Sequence, residues 1–116
     1  MESISELIGK ARAAQAEFEK TATQESVDAI VKAIAKVIYD NADPLAKMAA
    51  EESGMGVYED KINKNKGKAR VIWNFLKDKK SVGVINRDEK TCITEVARPM
   101  GVIAAITPCT NPIVTP

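Results

Sequence analysis

Residues 95–116 read EVARPMGVIAAITPCTNPIVTP, and the fold turns on how this stretch is read. Val102 to Ile106 is a continuous apolar run, set off by Pro99 and Gly101 before it and by Thr107-Pro108 after it. Such a run suits a strand covered on both faces, as in a parallel sheet with helices on either side. A parallel strand needs a neighbour and a crossover connection. Neither follows by residue 116, so the sequence reads as cut off just after the first strand of a larger α/β domain.

Upstream of this stretch the pattern is a β-hairpin. SVGVIN (residues 81–86) is short and β-branched, RDEK (87–90) is a turn, and TCITEV (91–96) alternates. The alternation puts Cys92, Thr94 and Val96 on one side and Thr91, Ile93 and Glu95 on the other. Residues 1–80 read as helical. The first helix is expected from about Ser3 to Lys20, with Ile4, Leu7, Ile8, Ala11, Ala14 and Phe18 near one face. Thr21 to Gln24 is a break with capping chemistry. Val27, Ile30, Val31, Ile34, Ala35 and Ile38 follow the i, i+3, i+4, i+7 rule of an amphipathic second helix. Asp43-Pro44 reads as a cap residue followed by proline at the first helical position. The third helix is then Leu45 to Ser53, stopped by Gly54. A fourth helix is expected from Tyr58 to Leu76, although Gly67 costs it about 1 kcal/mol relative to alanine.

Composition excludes several classes. The chain has 116 residues and a formal net charge of +1, which speaks against disorder and a polyelectrolyte partner. No apolar run approaches the roughly 20 residues of a membrane span, and Met1 leads into a charged helical pattern rather than a signal peptide. Histidine is absent, and Cys92 and Cys109 lack ligand spacing. No metal site is expected, nor a Ser/His or Cys/His pair within the chain. Two cysteines without a secretion signal point to free thiols in a reducing compartment, the cytoplasm.

The segment from Glu95 to Pro112 resembles the start of the cofactor domain in the aldehyde dehydrogenase superfamily. That family shows Pro-x-Gly-Val, an apolar strand, and a Thr-Pro or Ile-Pro turn ending in Asn-x-Pro. The variant Pro108-Cys109-Thr110-Asn111-Pro112 is similar to the CoA-acylating branch. A second point of similarity is AAEESGMG (49–56). The resemblance covers essentially the whole chain. It implies an α/β fold: N-terminal helices (1–80), a hairpin that serves oligomerisation (81–98), and the first strand with the cofactor and oxyanion loop of a Rossmann-like sheet (99–116). It implies oxidation of a small aldehyde to acyl-CoA, or the reverse, with NAD or NADP and with coenzyme A as co-substrate, in a homo-oligomer.

For the site, the resemblance implies that Ile106, Thr107, Pro108, Cys109 and Thr110 border the cofactor. The oxyanion formed by cysteine attack on an aldehyde needs a hydrogen-bond donor. Asn111 is the side-chain amide at hand and is favoured on chemistry. Aligning Pro108 and Pro112 without gaps instead puts Thr110 at the asparagine position, so Thr110 stays as the alternative. The family's nucleophilic cysteine and most of its sheet lie far downstream, and the isolated chain is expected to be inactive. Cys109 and Cys92 read as packing residues.

Other features have plainer readings. KINKNKGKAR (61–70) carries five basic residues and could contact the phosphates of nucleic acid or of coenzyme A, but with acidic Glu59 and Asp60 before it and no interleaved aromatic platform it reads as a solvated helix face. Trp73 and Phe75 read as core packing, and the GMG glycines as a helix stop. The alternative function, from a different class, is a non-catalytic helical binding or assembly module derived from the same family.

Overall fold

A computed structural model of the chain describes residues 2–115; Met1 and Pro116, the two ends of the expected segments, lie outside the described residues. The order of elements is α1 (Ile4–Thr21), α2 (Gln24–Asp40), α3 (Ala42–Ser53), α4 (Tyr58–Leu76), β1 (Gly83–Asp88) and β2 (Ile93–Ala97). The chain forms two compact units. One comprises Met1–Val27 with Lys80–Ala104, the other Asp28–Lys79 with Ala105–Pro116.

In the first unit, Ser3 starts α1 through a capping box. Its hydroxyl accepts from the Glu6 N–H, while the Glu6 carboxylate accepts from the Ser3 N–H at 2.8 Å. Hydrogen bonds to that carboxylate, from the Ser3 N–H first and then from the Ser3 hydroxyl at 2.9 Å, hold the Glu6 carboxyl below its ordinary range. The break before α2 is reciprocal too. The Ser26 N–H donates to Thr23 Oγ1 at 3.2 Å, and the Thr23 N–H donates to Ser26 Oγ at 2.9 Å. Gln24 then ties helix to hairpin. Its Oε1 accepts from the Ser81 N–H at 2.8 Å and the Val82 N–H at 3.2 Å.

The hairpin is antiparallel, pairing Gly83 with Ala97 at one end and Asp88 with Ile93 at the other. A bulge leaves Ile85 unpaired between Val84 and Asn86. Its turn differs from the expected one. The connection is Glu89–Cys92 rather than 87–90, so Cys92 is not a strand residue. It closes the turn at φ 56, in the left-handed region that non-glycine residues seldom adopt. Asp88 supports the turn by accepting from the Lys90 N–H at 2.9 Å. Its carboxyl is held below the ordinary value by hydrogen bonds from the Thr91 side chain first, then from the Lys90 and Thr91 amides.

The second unit is built on the α3–α4 pair. Ala42, Ala46 and Ala49 form an i, i+4, i+7 seam along α3, and all three are buried. They meet Asn65 and Ala69, the buried i, i+4 pair of α4. Small side chains let the two backbones come close. The buried Asn65 amide spends its Nδ2 on the Ala42 carbonyl at 3.3 Å, so no buried polar side-chain atom is orphaned among the described residues. The third helix begins earlier than Asp43-Pro44 implied. Ala42 is its first residue and Asn41 its cap, whose side chain makes no capping bond and instead donates from Nδ2 to the Val37 carbonyl at 2.8 Å. Asp43 instead accepts from the Tyr58 hydroxyl, which raises the Tyr58 pKa. Gly54 ends the helix at φ 61, as expected.

Two further expectations give way to packing. Phe75 is not core: it is 66% exposed, and Lys79 Nζ sits 4.2 Å from its ring centre. Trp73 is half-buried beside Lys32 on α2. The apolar run Val102–Ile106 forms no strand in this chain. No backbone hydrogen bond joins it to another described segment, and Ile106 is 99% exposed. A parallel strand exists only as part of a ladder, and no described residue supplies the partner backbone. No described helix is long and apolar enough to cross a membrane.

Candidate functional site

The expected site residues lie in 106–111. Ile106 and Thr107 are exposed, and Ile106 carries no cover at all. From Pro108 the chain turns: the Asn111 N–H donates to the Pro108 carbonyl at 3.1 Å, with Cys109 and Thr110 at the centre of the turn. A second bond fixes the exit, where the Thr115 hydroxyl donates to the Asn111 carbonyl at 2.7 Å.

This turn lies against α4 within the same unit. Lys64 Nζ donates to Asn111 Oδ1 at 2.5 Å. Lys61 Nζ approaches the Thr110 carbonyl at 3.5 Å. Asn111 Nδ2 donates in turn to Thr110 Oγ1 at 3.3 Å. The two candidate donors, Asn111 and Thr110, are therefore bonded to one another. A cavity of about 230 Å³ opens beside them, lined by Met55, Gly56, Val57, Asp60, Lys61, Lys64 and Thr110. Gly56 is required there: it sits at φ 79, and a Cβ would come within 3.3 Å of Lys61 Cε.

Cys109 is a free, exposed thiol with its Sγ 3.9 Å from Met55 Sδ. No base stands beside it among the hydrogen-bond partners. No cluster of three metal-ligating side chains occurs among the described residues. The basic stretch 61–70 divides its work. Lys61 and Lys64, at i and i+3, share the face that meets the turn, while Lys66 lies over the Tyr39 ring at 5.8 Å. The solvated-face reading missed Lys61 and Lys64. Their i, i+3 spacing was visible, but their partner is 47 to 49 residues away in sequence.

The profile of the aldehyde dehydrogenase family matches residues 1–116. The chain belongs to the aldehyde dehydrogenase family. It is 54% identical over 114 residues to a succinate-semialdehyde dehydrogenase (acetylating) of Clostridium kluyveri, a match spanning 98% of this chain and 25% of the relative. It is 44% identical over 117 residues to a sulfoacetaldehyde dehydrogenase (acylating) of Cupriavidus necator, spanning 99% and 24%. Among solved structures, an acetylating aldehyde dehydrogenase of Geobacillus thermoglucosidasius superposes with a TM-score of 0.69 at 42% identity, over 74% of this chain and 19% of that one. A probable aldehyde dehydrogenase of Listeria monocytogenes gives 0.73 at 39% identity, over 79% and 20%. The similarity to the acylating branch read from Glu95–Pro112 is borne out. The chain spans about a quarter of the length of the curated acylating relatives named here.

Proposed function

We propose that this aldehyde dehydrogenase chain serves the CoA-acylating oxidation of an aldehyde with NAD or NADP, and that the turn 108–111 is its share of the active site. The observation that carries this is the pairing of Asn111 with Thr110, next to a cavity, in a chain whose relatives bear acylating names. The nucleophilic cysteine belongs to residues outside the chain. When its thiolate adds to the aldehyde carbonyl, the oxygen gains charge. The neutral Asn111 amide donates to that oxygen without titrating, with the Thr110 hydroxyl as the alternative donor.

The nicotinamide cofactor, when bound, accepts the hydride. The backbone and hydroxyl groups of residues 106–110 suit its border because they are exposed and uncharged. Coenzyme A is the co-substrate that takes the acyl group. The helical part (1–80), the hairpin (81–98) and the strand-and-loop segment (99–116) then serve cofactor-domain packing, homo-oligomer association and the site, respectively, in a cytoplasmic enzyme.

The test is aldehyde- and CoA-dependent reduction of NAD and NADP by the enzyme made from its complete gene. Asn111→Ala is expected to lower kcat by about 100-fold. Unchanged turnover in Asn111→Ala, with loss in Thr110→Val, moves the donor to Thr110. The purified 116-residue chain is expected to show no cofactor reduction, and measurable turnover by it would overturn the placement of the nucleophile.

A further inference from the structure

The Asn111 amide is gripped by its oxygen. Lys64 Nζ stands 2.5 Å from Oδ1. An ammonium group has three donors and no acceptor. The atom facing it must therefore be the amide oxygen, because the flipped amide would set N–H against N–H. At the other end Nδ2 donates to Thr110 Oγ1 at 3.3 Å. The chain Lys64, Asn111, Thr110 thus has one direction. Two protons remain to be donated onward: the second Nδ2–H of Asn111, and the Thr110 O–H, whose oxygen is already accepting.

We infer that Lys64 is the positioning residue for the oxyanion donors, orienting the Asn111 amide and, through it, the Thr110 hydroxyl. A positive charge at Oδ1 draws electron density from the amide nitrogen, and hydrogen bonds in series polarise one another. Both donors are strengthened by the same lysine. The inference rests on the reading of Asn111 and Thr110 as oxyanion donors, and it holds whichever of the two reaches the oxygen. Lys61, one helical turn earlier, approaches the Thr110 carbonyl and keeps the turn on the same face of α4.

The experiment uses the enzyme made from its complete gene, with kcat and the KM for aldehyde measured for Lys64→Met, Lys64→Arg, Asn111→Ala, Thr110→Val and the Lys64→Met/Asn111→Ala double variant. Lys64→Met is expected to lower kcat about tenfold with KM unchanged, since a charge-assisted bond is lost. Lys64→Arg, which keeps a donor at this position, recovers most of the rate. In the Asn111→Ala background the lysine change costs less than about twofold, because the group it acts through is gone. Lys68→Met, exposed on the same helix, leaves both constants unchanged. Wild-type kcat in Lys64→Met, with a slow Asn111→Ala or Thr110→Val, overturns the inference alone. So does a lysine effect that is fully additive with Asn111→Ala. Full activity in both Asn111→Ala and Thr110→Val fails at the donors instead, and removes the underlying reading together with the inference.

Discussion

The α3–α4 seam and the segment 101–106 are both written in small and apolar residues, yet one is closed and the other bare. Ala42 and Ala46 have no exposed surface, whereas Ile106 is almost wholly exposed. The difference is not hydrophobicity, because alanine offers far less apolar surface than isoleucine. It lies in the backbone. A helix satisfies its own N–H and C=O groups and needs only a shape to fit against. A parallel strand needs another strand before it is a strand at all. Sequence pattern alone therefore supports a helix pair within a short chain but cannot supply a ladder.

The comparison is open to direct attack. The largest effect is expected from overfilling the seam. Ala46→Leu should destabilise the chain by about 1–3 kcal/mol in equilibrium urea denaturation; an unchanged midpoint would mean the helices are not in close contact there. Asn65→Ala should cost about 1–2 kcal/mol by removing a buried hydrogen bond, read in the same way. On the bare segment, Ile106→Ser should stay within about 0.5 kcal/mol in the 116-residue chain. In the enzyme made from its complete gene the same change should cost several times more, as an inward strand residue would. Equal costs in the two settings would dissolve the contrast.

The smallest effect concerns the hairpin turn. The Asp88 carboxyl is held below its ordinary value of 3.8. Its contribution is complete above that value and is lost as pH falls through the lower, folded-state value. The amide resonances of Lys90 and Thr91 should shift in that acid window, and Asp88→Asn should abolish the shift.

The helices were legible because their signals are local. The start at Ser3, the stop at Gly54, and the Tyr58–Leu76 pattern each mark a boundary without distant help. The start of α3 misled, because Asp43-Pro44 has cap chemistry while Ala42 is drawn into the helix by burial against α4. Cys92 misled because alternation continues through a turn that only backbone φ reveals. In the site, the family resemblance gave the setting and, by register, Thr110, while amide chemistry within that motif favoured Asn111. The partnership with Lys64 was hidden, since contacts between a helix and a turn 47 residues on leave no periodic trace.

The chain's two cysteines are both exposed and free of any disulfide, and they fall one in each compact unit: Cys92 at the hairpin turn and Cys109 in the 108–111 turn. With no other thiol in the chain to compete, a pair of spin or fluorescent labels can be attached without altering any other residue. The protein thus carries its own ruler, by which the separation of its two halves can be read in solution.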